Sequence, residues 1–516
     1  MFTTCSQEAK WKPKITVDSA EIRVESSPRF LGVLLDRQLQ FGPHADHVIT
    51  KMAAKQNIIS AVANTKWGWR KEYLTQLYSA FIHSLSTYAG FAWLPCTAKS
   101  NKRKIERAQN KALRLVTGQY KATPTEALRL ECGLISFDTE AFRMIAKSAE
   151  KAERLPMDHP RNIAYTGTTR KRLKQENWRD TAKSLIDLLP RPLRDRVQIR
   201  NFTTDPWLEA SCLEVYPELE GVVSRLESEQ IKRDAALRRI REVDAPVVIY
   251  TDGSAHRGTI RGGAAAIVTK GDPEHPEELH SMLMRGADFT CSYEEEVEAM
   301  KMATQYIRDN NKGDELFLIC TDSQSLCMAL RSFNPETDVI RETLKDFNGS
   351  VIIQWIPGHS MIPGNELADF AAKEASNQIA PGRPITLRSA NMQIREAFKD
   401  NIKHDRTRKI YSAFNMDTEK ELQTRKEQVT IAQLRSGKHR ALMSYMNQID
   451  GDVSSKCPRC NEEDHTVEHW FLKCPGTLQA RQDIFGGDED YGLHYLTKHP
   501  ARSLALARRT LLGAGR

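Results

Sequence analysis

Four acidic residues stand in series through residues 246–376, and each falls at an expected strand end or on a helix beside one. They are Asp252 in I-Y-T-D-G-S-A, Glu296 in S-Y-E-E-E-V-E-A, Asp322 in I-C-T-D-S-Q-S and Asp369 in G-N-E-L-A-D. The elements between them constrain the fold. Val247–Asp252 is a β-branched run of the kind buried on both faces of a sheet. Gly262–Val268 and Leu279–Met284 read as two further strands joined by G-D-P-E-H-P-E-E, and Ser292–Ile307 as a helix with Ser292 at its N-cap. Leu316–Cys320 and Val351–Ile356 complete a five-stranded mixed sheet, and Pro363–Ser376 is a closing helix. In this α/β order, helices pack on the sheet, and the first and fourth strands become parallel neighbours through a right-handed crossover. Asp252 and Asp322 then lie side by side at the C-terminal strand ends, where open α/β sheets bind ligands. Carboxylates gathered there repel one another unless cations separate them. Hard divalent ions with oxygen ligands, and phosphodiester chemistry, are the expectation.

The remainder of the chain is basic and mainly helical. Residues 1–120 hold 18 Lys/Arg against 8 Asp/Glu, whereas residues 246–376 hold 11 against 21. An acidic middle repels a polyanion. Bound divalent ions and basic flanks would offset that, although ordinary solvated surface also produces such a split. After a strand-like S-P-R-F-L-G-V-L-L-D, helices are expected at 44–64, 71–93 and 100–117. The last carries Lys102, Arg103, Lys104 and Arg107, candidate phosphate contacts or simply a solvated helix face. We divide the chain into an α-helical region at 1–150, a helical connector at 151–245 interrupted by prolines, the α/β domain at 246–376, and a helical region at 385–516.

Three of the ten cysteines cluster with histidines near the C-terminus. Cys457-x2-Cys460-x8-His469-x4-Cys474 has the ligand types of a closed tetrahedral zinc site, structural rather than catalytic. His465 is the competing ligand. Few cysteines, no signal-like N-terminus and no apolar run of membrane length suggest an intracellular chain, nuclear or cytoplasmic, neither secreted nor membrane-bound.

Taken together, Y-T-D-G-S, S-Y-x-x-E, T-D-S and W-I-P-G-H-S-M-I-P-G-N-E-L-A-D resemble a type 1 ribonuclease H domain. The resemblance implies cleavage of the RNA strand of an RNA–DNA hybrid with two Mg²⁺ ions (Mn²⁺ as substitute) about 3.5–4 Å apart. Asp252, Glu296, Asp322 and Asp369 would hold the ions, and His359 would assist proton transfer or product release. The family spacing selects Glu296. Its neighbours Glu294, Glu295 and Glu298 read as solvated helix surface, with Glu295 the fallback. V-E-H-W-F-L-K-C-P resembles the terminal zinc knuckle of non-LTR retrotransposon polyproteins, which favours His469 over His465. R-F-L-G-V-L-L-D, Y-A-G-F-A-W-L-P and I-E-R-A-Q-N-K-A-L-R-L-V-T-G resemble the thumb-like region after the polymerase palm of the same polyproteins. The chain has no adjacent aspartate pair, so polymerase activity is not expected, and a reverse transcriptase supplied separately would be a partner. The alternative is a catalytically idle retroelement relic that only binds RNA or DNA.

Overall fold

The computed structural model describes residues 7, 10–11, 14–22, 24–167, 177–189, 196–197, 212–220, 228–310, 313, 315–332, 334–379, 383–400, 402–412, 414–486, 488 and 490–513. They form two compact units. One draws on Met1–Ala149, Thr168–Leu188 and Arg395–Arg516, the other on Glu150–Gly167 and Leu189–Ile394.

The second unit is built on a mixed sheet of strands β1 (Leu213–Tyr216), β2 (Val247–His256), β3 (Ile260–Lys270), β4 (Glu277–Arg285), β5 (Leu316–Thr321) and β6 (Ser350–Trp355). Their spatial order is β1-β6-β5-β2-β3-β4. The first four in that order run parallel, and β2, β3 and β4 are antiparallel. The sheet thus has six strands, not the expected five. The added strand, β1, comes from the stretch read as a helical connector. It is four residues of alternating half-buried and exposed character, too short for a periodic signal, and it exists because Val351–Gln354 supply a parallel edge.

Side chains on β2 alternate between two cores, as the period of a strand requires. Ile249 joins Ala266, Val297, Met300 and Ala303 on one face. Val248 and Tyr250 join Ala265, Ile267, Ala368 and Ala372 on the other. The first face is covered by helix α1 (Ser292–Asp309) and the second by helix α2 (Pro363–Asn377). The alanine- and glycine-rich β3 lets α2 come close: a Cβ on Gly263 would sit 2.2 Å from the Ala372 carbonyl oxygen. The charge-rich stretch ahead of β2 is a helix, Glu229–Val243, capped by the Ser228 side chain, and its Ala236, Leu237 and Ile240 fill the second core.

The other unit is helical. Helices at Gly42–Val62 and Lys99–Thr117 match the expected periodic runs, the second ending at Gly118 in the left-handed conformation (φ 67°). The expected helix at 71–93 is broken. Lys71–Tyr78 runs into a π-helical turn at Ser79–His83 and then Ser84–Thr87, and Ala89 takes the left-handed conformation (φ 49°) before Gly90–Trp93. Arg29–Phe30 and Val33–Leu34 form only a minimal antiparallel hairpin. Lys71 Nζ pairs with Glu131 at 2.7 Å and Glu419 at 2.6 Å, and Arg435 pairs with the same two carboxylates, all four side chains being essentially inaccessible to solvent. Tyr411 donates to Glu131 at 2.6 Å. This closed network ties the early helices to the C-terminal segment. Among the described residues no helix is long and apolar enough to cross a membrane.

Candidate functional site

Asp252 lies on β2 one residue past Thr251, which is level with Thr321 on β5. Asp322 follows Thr321, so the parallel register sets the two aspartates side by side. Glu296 enters from the second turn of α1. Gly253 permits that approach, because a Cβ there would lie 2.1 Å from the Glu296 backbone nitrogen. One carboxylate oxygen each from Asp252, Glu296 and Asp322 lie within 4.8 Å of one another. Asp252 and Glu296 are buried, at 6% and 7% exposure.

Such proximity penalises ionisation. Burial, then the charges of Asp322 and Asp369, push Asp252 up to about 7. Burial, then Asp252 and Asp322, hold Glu296 well above the usual carboxylate range. Burial also raises Asp322, against the hydrogen bond from Asn365 and the charge of His359. Glu296 Oε2 is buried without a hydrogen-bond partner. Three acids that resist charging together, one with an orphaned oxygen, are the donor set that hard divalent cations require. Asp252, Glu296 and Asp322 fit such an ion.

Asp369, on α2, stands outside this trio. Its Oδ2 accepts from Lys373 at 2.5 Å, one helical turn on, while its charge still reaches Asp252 and Asp322. His359 is exposed on the loop before α2, with a φ of 54°. The loop closes over Asp322: a Cβ on Gly358 would come 2.6 Å from Asp322 Oδ2, and Trp355 Nε1 donates to the Asp322 carbonyl at 3.1 Å. Sequence reasoning missed Asn365 and Glu229. Glu229 accepts from the Ser360 hydroxyl at 2.6 Å, one residue from His359. Asn365 stood inside the quoted motif, whereas no local pattern marked Glu229.

The crowded glutamates correct an expectation. Glu294 and Glu295 are buried, at 9% and 0% exposure. Glu295 accepts from Thr290 at 2.7 Å and pairs with Arg383. Glu294 accepts from Thr290, Thr386 and Ser389. Only Glu298 is half-exposed, pairing with Lys301 and Arg383. Of these partners, Arg383, Thr386 and Ser389 lie up to 95 residues downstream, out of reach of any local pattern.

In the helical unit, ligand atoms of Cys457, Cys460, His469 and Cys474 also lie within 4.8 Å of one another. The Cys457 and Cys474 sulfurs are 3.7 Å apart, and Cys460 Sγ is 3.3 Å from His469 Nε2. His469 Nδ1 is 3.0 Å from Glu463, which orients the ring with Nε2 toward the thiols. Backbone N–H groups of Glu462 and Glu463 bring the Cys460 thiol down to about 7, and burial pushes Cys474 up to about 11. His465 is not in the group; its Nδ1 accepts from the Met443 N–H at 3.3 Å. The donor set fits a zinc ion.

Of the basic run, Arg103, Lys104 and Arg107 are exposed and Lys102 is half-buried. Their helix turns Ile105, Ala112, Leu113 and Val116 inward. Lys104 pairs with Asp46 at 3.3 Å.

Residues 244–377 match the family model described as RNase H. No curated protein matches the chain. Similar solved structures include a foamy viral protease-reverse transcriptase in complex with dsDNA, at 20% identity over 26% of this chain and 96% of that one, with a TM-score of 0.22. Another is RNase H1 from the halophilic archaeon Halobacterium salinarum NRC-1, at 21% identity over 25% of this chain and 96% of that one, also with a TM-score of 0.22. Residues 244–377 of this chain are an RNase H domain.

Proposed function

We propose that residues 244–377 cleave the RNA strand of RNA–DNA hybrids. The observation that carries this reading is the trio of buried Asp252, buried Glu296 and half-buried Asp322, whose oxygens lie within 4.8 Å and whose carboxyls all resist ionisation. The three would hold Mg²⁺, with Mn²⁺ as a substitute, and Asp369 would complete the set once released from Lys373. Divalent cations held there would neutralise the carboxylates and would supply activation of water and stabilisation of the leaving oxygen of a phosphodiester. The chain's own residues do the rest. Asn365 orients Asp322 through its side-chain hydrogen bond. His359, exposed beside Asp322 on a loop tethered by Ser360 and Glu229, would carry a proton to or from solvent. A neighbouring 2′-hydroxyl would distinguish RNA from DNA.

The flanks fit a protein derived from a non-LTR retrotransposon. Cys457, Cys460, His469 and Cys474 would hold a structural zinc ion, and Lys102, Arg103, Lys104 and Arg107 would contact phosphates, with a polymerase supplied by another chain.

The Lys373 contact on Asp369 favours a second reading, a domain that binds nucleic acid and cuts nothing. One assay decides between them. Purified protein is incubated with end-labelled RNA–DNA hybrid and Mg²⁺, beside Asp322→Asn. Cleavage by the wild type, lost in the variant with an unchanged circular dichroism spectrum, supports the nuclease. Binding without cleavage supports the idle domain.

A further inference from the structure

Three consecutive glutamates lie in the first turns of α1, and of the three only Glu296 keeps a buried oxygen without a hydrogen-bond partner. Glu294 accepts from the Thr386 and Ser389 hydroxyls, and Glu295 is paired with Arg383. On the same turns, Arg383 Nη1 also reaches Glu298 at 3.0 Å, and the Arg388 guanidinium lies 4.4 Å from the centre of the Tyr293 ring. Glu296 sits among these residues with an oxygen that has no partner. Every one of those contacts comes from the segment Arg383–Ser389, which lies beyond residue 377, where the RNase H match ends.

The segment is itself anchored. The Ile385 carbonyl accepts from Arg154 Nη1 at 2.5 Å and from the Val197 N–H at 3.1 Å. Arg154 is fully buried and bound to Glu150, which also takes Arg196. The Ser389 N–H donates to Thr386 Oγ1 at 3.1 Å, fixing the position of that hydroxyl. The helix end it holds needs support. The first turn of any helix has unsatisfied N–H groups, and α1 starts after Cys291 with no side-chain cap. The same turn must push Glu296 toward Asp252 and Asp322, two carboxylates that repel it. A turn that is uncapped and electrostatically opposed relaxes outward unless it is tied down.

We propose that Arg383–Ser389 is a positioning strap: by holding Tyr293, Glu294, Glu295 and Glu298, it keeps Glu296 aimed at Asp252 and Asp322. The geometric part stands alone, and its consequence for cation binding rests on the functional reading above. Residues outside the matched family range then determine how well the carboxylate site is formed.

The test uses the full chain with Thr386→Val and Ser389→Ala together, and Ser389→Ala alone as the milder variant. Hydrogen exchange is followed in cation-free protein. Loss of the two hydroxyl hydrogen bonds to Glu294 should speed exchange of amides 293–298 by roughly tenfold or more, with β5 and β6 amides unchanged. Mn²⁺ affinity, measured by electron paramagnetic resonance, should fall roughly 10–100-fold, as for other groups that orient metal ligands. Turnover of hybrid should fall without a change in KM, and raised Mn²⁺ should restore part of it. Unchanged exchange at 293–298 in both variants overturns the strap, as does faster exchange spread evenly over the sheet, which means a merely structural role. Wild-type protein that binds no Mn²⁺ while the exchange result holds would defeat the cation reading and leave the strap standing.

Discussion

Asp252→Asn should make the cation-free protein more stable at pH 8 and inactive. The carboxyl of Asp252 moves from an ordinary 3.8 to about 7 in the fold. At about 1.4 kcal/mol per pH unit this is roughly 4 kcal/mol against the ionised form. The folded chain holds the proton more tightly than the unfolded chain. Between pH 3.8 and about 7 the native state therefore carries the extra proton, so stability falls as pH rises through that window and levels off above it. Asparagine keeps the shape and has no proton to lose. Glu296 and Asp322 titrate together with Asp252, so part of the penalty stays with them, and a gain of about 2–4 kcal/mol at pH 8 is expected. For a unit of this size, each kcal/mol moves the melting temperature by roughly 2–4 °C. Thermal unfolding in chelator should then show the variant melting roughly 10 °C above the wild type at pH 8, with the gap closing toward pH 5. Mg²⁺ should raise the wild type, by about 2.7 kcal/mol at a hundred times its dissociation constant, and leave the variant unmoved. A variant that melts at or below the wild type at pH 8, or a gap independent of pH, would refute the argument that these carboxylates oppose one another.

Cys457→Ser should lose the one equivalent of zinc expected by metal analysis, and chelation should open residues 440–480 to protease while the RNase H domain resists, since metal binding and local folding are coupled. Lys71→Met leaves Glu131 and Glu419 sharing only Arg435 in a site closed to solvent; a loss of about 3–5 kcal/mol in urea unfolding is expected, and Lys71→Met with Glu419→Gln should recover part of it. Changing Lys102, Arg103, Lys104 and Arg107 to Ala together should flatten the salt dependence of hybrid binding, because fewer counterions are released, with turnover at saturating hybrid nearly unchanged. An unaltered slope would assign that face to solvent.

Short-range order is what the sequence determined. A β-branched run ending in T-D-G-S, a second ending in T-D-S and a crossover between them were enough to bring Asp252 beside Asp322, because a parallel register between adjacent strands leaves little freedom. The Cys3His group was legible for the same reason: its ligands span 18 residues, and their spacing already limits the geometry. The choice of His469 over His465 rests on Glu463 and Met443, both within about two dozen residues. Contacts made across long stretches of chain were decided only by the tertiary structure. Glu294 and Glu295 look like solvated surface until Arg383, Thr386 and Ser389 arrive to satisfy them. Leu213–Tyr216 becomes a strand only because β6, more than 130 residues later, offers an unpaired edge. Lys71, Glu131, Glu419 and Arg435 each read as surface charge, and burying any one alone would be prohibitive. They are inside because the four neutralise one another, a condition that exists only once the N-terminal helices and the C-terminal segment have met.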